Sequence, residues 1–201
     1  TISGRTVTLV GNGVTVLTAA QEESTAYNAG KAVTILIVGD PYKLPAQLTG
    51  LANVTKLVTD AAFTITAPST QSAATIQYVL GDDRIASISG NTITLKTNGT
   101  TKIYALQKET ATHQAGMTEA TLQVNLPPVP AIDYSDALNL RVGTSITPLT
   151  PTSTAGAVTQ YSVWPPLPAG LQLNAQTGVI QGTPTVLAEQ QTYQVTGANL
   201  G

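Results

Sequence analysis

Cysteine is absent from these 201 residues, and His, Met, Trp and Phe occur once each. Without Cys, disulfides, thiolate nucleophiles and Cys-ligated metal sites are excluded together, so packing and strand pairing must hold the chain. A single His excludes paired-His metal sites. Charge is sparse: 9 basic against 11 acidic residues leave a formal net charge of −2. No basic field exists to neutralise phosphates, which removes nucleic acid as a partner, and no acidic tail exists to attract cations or basic proteins. The longest apolar run, AVTILIV at residues 32–38, is far short of the roughly 20 residues that cross a bilayer as a helix. No signal-peptide pattern, initiator Met or lipidation motif is visible. Long helical patterns of Glu, Lys and Leu are missing too.

What is present is Thr in abundance, with 17 Gly and 12 Pro, a composition for strands and turns. It is also repeated. Residues 1–38 align with residues 87–124 at a constant offset of 86 without a gap, and 16 of the 38 pairs are identical. Chance gives only a few identities, so one module is used twice. The identities include Gly4 with Gly90, Leu9 with Leu95, Ala19 with Ala105, Gly30 with Gly116 and Val38 with Val124. Asn12-Gly13 likewise falls on Asn98-Gly99, a dipeptide that turns a tight hairpin at least cost because Gly accepts positive φ. The offset makes residues 1–38 the C-terminal half of a module whose opening strands are not in this sequence, and residues 39–126 a complete copy. The Pro-rich NLPPVPAID, residues 125–133, reads as a short stiff linker. A third unit of different sequence, residues 127–201, follows it.

Within the complete copy the hydrophobic period is two. Phe63 and Ile65 alternate with Thr64; Ile76, Tyr78 and Leu80 with Gln77 and Val79; Ile93 and Leu95 with Thr92 and Thr94. Thr101, Ile103 and Ala105 share one face, and Ala120, Leu122 and Val124 share another against outward Glu119, Thr121 and Gln123. Six or seven short strands at turn spacing predict an antiparallel sandwich. The counterpart of TEATLQV in the first copy, AVTILIV, is apolar on both faces, which leaves open either a neighbouring module over the second face or a few exposed Val and Ile.

The third unit carries the most specific string, YSVWPPLPAGLQLNAQTGVIQGTPT at residues 161–185, followed by TYQVTGAN. Pro165, Pro166 and Pro168 keep the approach extended, Leu171 and Leu173 point one way into a core, and Asn174 to Gly178 makes a turn. Leu167, Pro168, Gly170, Leu171, Leu173, Thr177, Gly178, Ile180, Gly182, Thr183, Pro184, Tyr193, Val195 and Thr196 closely resemble the signature of the He_PIG-type immunoglobulin module of bacterial surface proteins. The repeated module, with its I-x-G, T-x-T-L and closing T-x-x-V pattern, resembles Big-type bacterial immunoglobulin-like repeats. Together these resemblances imply an all-β fold of tandem immunoglobulin-like β-sandwich modules in an elongated array. They imply a non-catalytic stalk segment of a large extracellular cell-surface adhesin. Its partners would be neighbouring modules of the same chain, surface glycans or other cell-surface proteins. The alternative is an ancillary carbohydrate-binding module of a secreted polysaccharide-degrading enzyme.

Candidate chemical groups are few, and no catalytic, cofactor-binding or metal-ligating residue is assigned. His113 occupies the position of Tyr27 in the first copy, a flat ring before the last strand, with no nucleophile or orienting acid in sequence. Asp82-Asp83 follow Gly81 between strands, where acidic residues make turns. Asp133 and Asp136 beside the linker could meet calcium between modules, but the dense acidic cluster such sites need is missing. Lys102 faces outward by parity, away from any internal Lys–Asn isopeptide bond. Trp164, the sole Trp, points opposite to Tyr161 and Val163 and is the one candidate for a ligand or module contact, with packing under the Pro-rich segment the expected arrangement.

Overall fold

The computed structural model describes residues 2–3, 6–26, 28–134 and 140–201. Among them the chain is all-β, without a helix. It divides into two compact units, Thr1–Asn125 and Leu126–Gly201. The first holds strands β1 (Ile2–Ser3), β2 (Thr6–Val7), β3 (Gly13–Gln21), β4 (Gly30–Val38), β5 (Leu48–Thr49), β6 (Val54–Leu57) and β7 (Phe63–Thr64). It continues through β8 (Ser69–Thr70), β9 (Ile76–Leu80), β10 (Ala86–Ser89), β11 (Thr92–Leu95), β12 (Gly99–Gln107) and β13 (Gly116–Asn125). The second holds β14 (Ala131–Asp133), β15 (Thr152–Ala155), β16 (Gln160–Trp164), β17 (Leu171–Leu173), β18 (Ile180–Gly182) and β19 (Gln194–Ala198).

Between residues 39 and 125 two sheets form a sandwich. One has the order β6-β13-β12-β9 and the other β10-β11-β7. The alternation of the sequence explains which side chains meet: Leu80, Ile103, Leu122 and Val124 come from the first sheet, and Ala86 and Ile93 from the second, with Ile65 and Ile85 from the flanking loops. Ile93, Ile103 and Leu122 are fully buried. Burying a Leu or Ile side chain contributes about 1.5–3 kcal/mol, so this seam is the main stabilising element of unit 1. Lys102 and Glu119, on the opposite face, form an exposed ion pair at 2.8 Å. That contact draws the Lys102 ammonium into surface pairing, and the Glu119 hydrogen bond raises its pKa.

The hairpin expected at Asn98-Gly99 is corrected here: β11 pairs with β10 and β7 while β12 pairs with β13 and β9, so the dipeptide carries the chain from one sheet to the other, with Gly99 at φ 145°. The repeat is visible in the pairing. Gly13 faces Val38 and Gln21 faces Gly30 across β3–β4, while Gly99 faces Val124 and Gln107 faces Gly116 across β12–β13. β1–β2 pairs Ile2 with Val7, as β10–β11 pairs Ile88 with Ile93. Every one of these pairings is displaced by 86 residues. The first and last strands of the sandwich, β6 and β13, run parallel, Val54 beside Leu122 through Leu57 beside Asn125.

Unit 2 is built of three strand pairs, β14–β15, β16–β19 and β17–β18. The turn from Asn174 to Gly178 is closed by the Asn174 side chain, whose Oδ1 accepts from the Gln176 and Thr177 N–H groups at 2.9 and 3.0 Å. This turn returns the chain so that Leu171 lies beside Gly182 and Leu173 beside Ile180. Ile180 is the large apolar side chain this hairpin buries, at 8% exposure.

Candidate functional site

The face of the β16–β19 pair that carries Trp164 is the candidate site. Antiparallel pairing sets Gln160 opposite Ala198, Ser162 opposite Thr196 and Trp164 opposite Gln194. Directly opposed residues share a face. All six are exposed, while Tyr161, Val163 and Val195 on the other face are half-buried. The expected packing of Trp164 beneath the Pro-rich segment is corrected here: the indole is 74% exposed. The Trp164–Pro165 peptide bond is cis and the chain bends at Pro165. The face is a flat platform with one large π surface beside an amide (Gln194) and two hydroxyls (Ser162, Thr196). Such a combination can stack on an apolar ring face and hydrogen-bond the hydroxyls around it. Behind the platform, Tyr134 donates its hydroxyl to the Gly178 carbonyl at 2.5 Å. Burial, and then Tyr161, raise the Tyr134 phenol above its ordinary pKa.

The other candidates are engaged in turns. The His113 carbonyl accepts from the Thr110 N–H at 2.9 Å. Its own N–H is donated to Thr110 Oγ1 at 3.0 Å, and Nδ1 lies 2.9 Å from Thr112 Oγ1. Tyr27, its counterpart, lies outside the described residues. Asp82 and Asp83 diverge to different cations, Arg84 at 2.7 Å and Lys31 at 2.8 Å, so they do not form an acid/base pair across a cleft. Asp133 sits in β14, and Asp136 lies outside the described residues. Among the described residues no three His, Asp or Glu side chains group to hold a metal.

The hydrogen bond from Arg84, its largest cause, holds the Asp82 carboxyl below the usual carboxylate range. The bond to Lys31 does the same for Asp83. A carboxyl depressed in the folded state adds stability above its unfolded pKa of about 3.9 and loses it as pH falls through the folded value. The denaturation midpoint of unit 1 is therefore expected to be flat across the neutral range and to fall in acid. Asp82→Asn should show a smaller acid drop, read from urea melts at successive pH values; an equal drop in both proteins would remove Asp82 from the account.

The sequence identified Trp164 but not its polar neighbours. Their signal was present, since Y-x-V-T alternation in β19 sets Gln194 and Thr196 outward, yet which strand lies beside β16 is a tertiary fact. Gln107 was missed as well. It is wholly buried, and its recurrence as Gln21 in the repeat was the available clue.

Residues 127–200 match the He_PIG family model, described as "Putative Ig domain". No curated protein matches the chain. Among solved structures, the chain is similar to a SusE-like surface-located polysaccharide-binding protein from the Bacteroides thetaiotaomicron heparin utilisation locus. Identity is 14% and the TM-score 0.30, over 68% of this chain and 28% of that one. It is similar at 14% identity and TM-score 0.28 to the SGBP-B protein of the Bacteroides ovatus mixed-linkage glucan utilisation locus, solved with a mixed-linkage heptasaccharide, over 76% of this chain and 43% of that one. Mouse protocadherin-24 is similar at 16% identity and TM-score 0.30, over 86% of this chain and 67% of that one. The chain thus spans less than half of either Bacteroides protein.

Proposed function

We propose that this chain is a non-catalytic, load-bearing segment of a large extracellular bacterial surface protein, a stalk of immunoglobulin-like modules that projects a binding region. The observation that carries the reading is the parallel pairing of β6 with β13. These are the first and last strands of the sandwich sheet. Tension that draws the two ends of the module apart pulls parallel strands past each other, so their ladder bonds are loaded together in shear. Bonds loaded in series would break one at a time. The module repeat in residues 1–38 and 87–124, and the He_PIG match at residues 127–200, support the array and its surface setting.

Single-molecule pulling tests this. A discrete rupture peak is expected for the sandwich at residues 39–125, and a featureless extension would sink the stalk reading. Val58→Pro removes the N–H that Val58 donates to the Asn125 carbonyl at 2.8 Å. Since one such bond contributes about 1 kcal/mol, unfolding at a given force should speed up about five- to tenfold.

A second reading is favoured by one specific observation, the open Trp164 platform: that this face binds glycan. A glycan array on the full chain, repeated with Trp164→Ala, separates the two. A sugar hit weakened about thirtyfold or more by the substitution would make the segment a binding module.

A further inference from the structure

We propose that the exposed face of β16 and β19 is a track for a neutral, extended oligosaccharide, which seats one sugar ring on Trp164 and runs along the strands towards Gln160. The inference rests on the glycan reading of this face and adds the class of ligand and the way it lies.

Gln160, Ser162 and Trp164 follow one another along β16, and Ala198, Thr196 and Gln194 stand opposite them on β19. Alternate residues of a strand lie about 6.6 Å apart, so the row from Trp164 to Gln160 is about 13 Å long, more than one pyranose ring covers. Elsewhere in unit 2, hydroxyls and amides are tied to the chain itself. Thr159 Oγ1 donates to the Ala198 carbonyl at 3.0 Å, Ser153 Oγ to that of Ala155 at 2.7 Å, and Asn199 Nδ2 to that of Pro128 at 2.7 Å. The side chains of Gln160, Ser162, Gln194 and Thr196 make no such bond among the described residues. They offer donors and acceptors alike, which suits a sugar hydroxyl, itself both donor and acceptor.

The inner side of the pair holds this row in place. A Cβ on Gly197 would meet Val158 and Ile132 at 3.0 and 3.1 Å, and the Tyr161 ring lies against Gly178. The Tyr161 N–H donates to the Ala175 carbonyl at 2.7 Å. The track is therefore fixed before a ligand arrives, which spares a small ligand the cost of ordering it.

Charge and area choose the occupant. None of the six facing residues is ionisable. Unit 2 as a whole has one basic residue, Arg141, against Asp133, Asp136 and Glu189. Sulfated and uronic-acid chains are held by Arg and Lys, so a neutral chain fits here and an anionic one does not. A stable protein partner takes about 20–30 residues a side. This face offers six, with Trp164 its one large apolar side chain.

The test titrates the full chain by calorimetry with gluco-, manno-, galacto- and xylo-oligosaccharides, each as mono-, di-, tri- and hexasaccharide, and with heparin and polygalacturonate fragments of matching lengths. A neutral series is expected to bind, more tightly as the chain grows to a trisaccharide, and equally at low and high salt. Trp164→Ala should weaken every length about thirtyfold or more. Gln160→Ala and Ser162→Ala should weaken the trisaccharide about two- to fivefold and leave the monosaccharide unchanged. Two results overturn the inference and keep the glycan reading. One is a Trp164-dependent hit confined to heparin or polygalacturonate fragments; the other is a monosaccharide bound as tightly as its trisaccharide and no effect of Gln160→Ala on either. Two results overturn both: no Trp164-dependent hit in any series, or a dimer in sedimentation that Trp164→Ala dissolves, which would make a second copy the occupant.

Discussion

Gly182→Ala unfolds unit 2 and leaves unit 1 intact. Gly182 adopts φ 132°, a conformation L side chains rarely hold, which by itself costs about 1–3 kcal/mol. A Cβ there would also lie 2.1 Å from the carbonyl oxygen of Gly170. That oxygen is backbone and accepts the Thr183 N–H at 3.0 Å, so it cannot withdraw without opening the pairing of Leu171 with Gly182 that begins the β17–β18 hairpin. The hairpin in turn positions Ile180, which among the described residues is the large apolar side chain that unit 2 buries most fully. Conformational strain and backbone overlap together should remove about 4 kcal/mol or more, a large fraction of what holds a domain of this size. Hydrogen exchange read peptide by peptide would show fast exchange throughout residues 140–201 and native protection in β12 and β13. Retained protection in β17 and β18 would show that the hairpin can shift to admit the methyl group.

The same residues show what a sequence can and cannot specify. Period-two alternation assigned the inward faces of β12 and β13 correctly, because each strand must bury one side and a one-residue slip would expose Ile103 and Leu122 together. The turn from Asn174 to Gly178 was equally legible, since positive φ and side-chain capping are local requirements with local residues to meet them, whereas Asn98-Gly99 was legible as a glycine corner but not as a crossing between sheets, which the whole sandwich decides. Trp164 marks the limit of that reasoning. Parity told which way the indole points, but whether the following prolines lie over it or beside it depends on the direction of the chain after the strand. The parallel contact of β6 with β13 had no signal at all, because strands some 70 residues apart pair through the whole sandwich and not through any turn between them. Gln107 was obscured for another reason: it shares the inward parity of Ile103 and Ala105, but a polar side chain does not mark a core position, and only its fixed partners make burial tolerable.

Those partners make Gln107→Ala the second large effect. The side chain is fully buried. Its Oε1 accepts from Thr70 Oγ1 at 2.7 Å, and its Nε2 donates to the carbonyls of Ser72 and Ala74 at 3.2 and 3.1 Å. One amide thus satisfies three groups, one at the end of β8 and two in the loop between β8 and β9, where Ser72 is itself buried. Removing it leaves a hydroxyl and two carbonyls without their partner and opens a gap at the end of β12. An unsatisfied buried polar group costs about 1–3 kcal/mol, and the loop can recover part of this by opening to water, so a net loss of about 3 kcal/mol is expected. Gln107→Glu sharpens the test. It keeps the shape and the acceptor for Thr70 but replaces the donor by a carboxylate facing two carbonyls, so it should be as damaging at neutral pH and less so in acid, where the protonated group can donate again. Urea melts of both variants against pH decide it. A Glu variant as stable as the parent at neutral pH would mean the amide donor is not what holds residues 70–74 against β12.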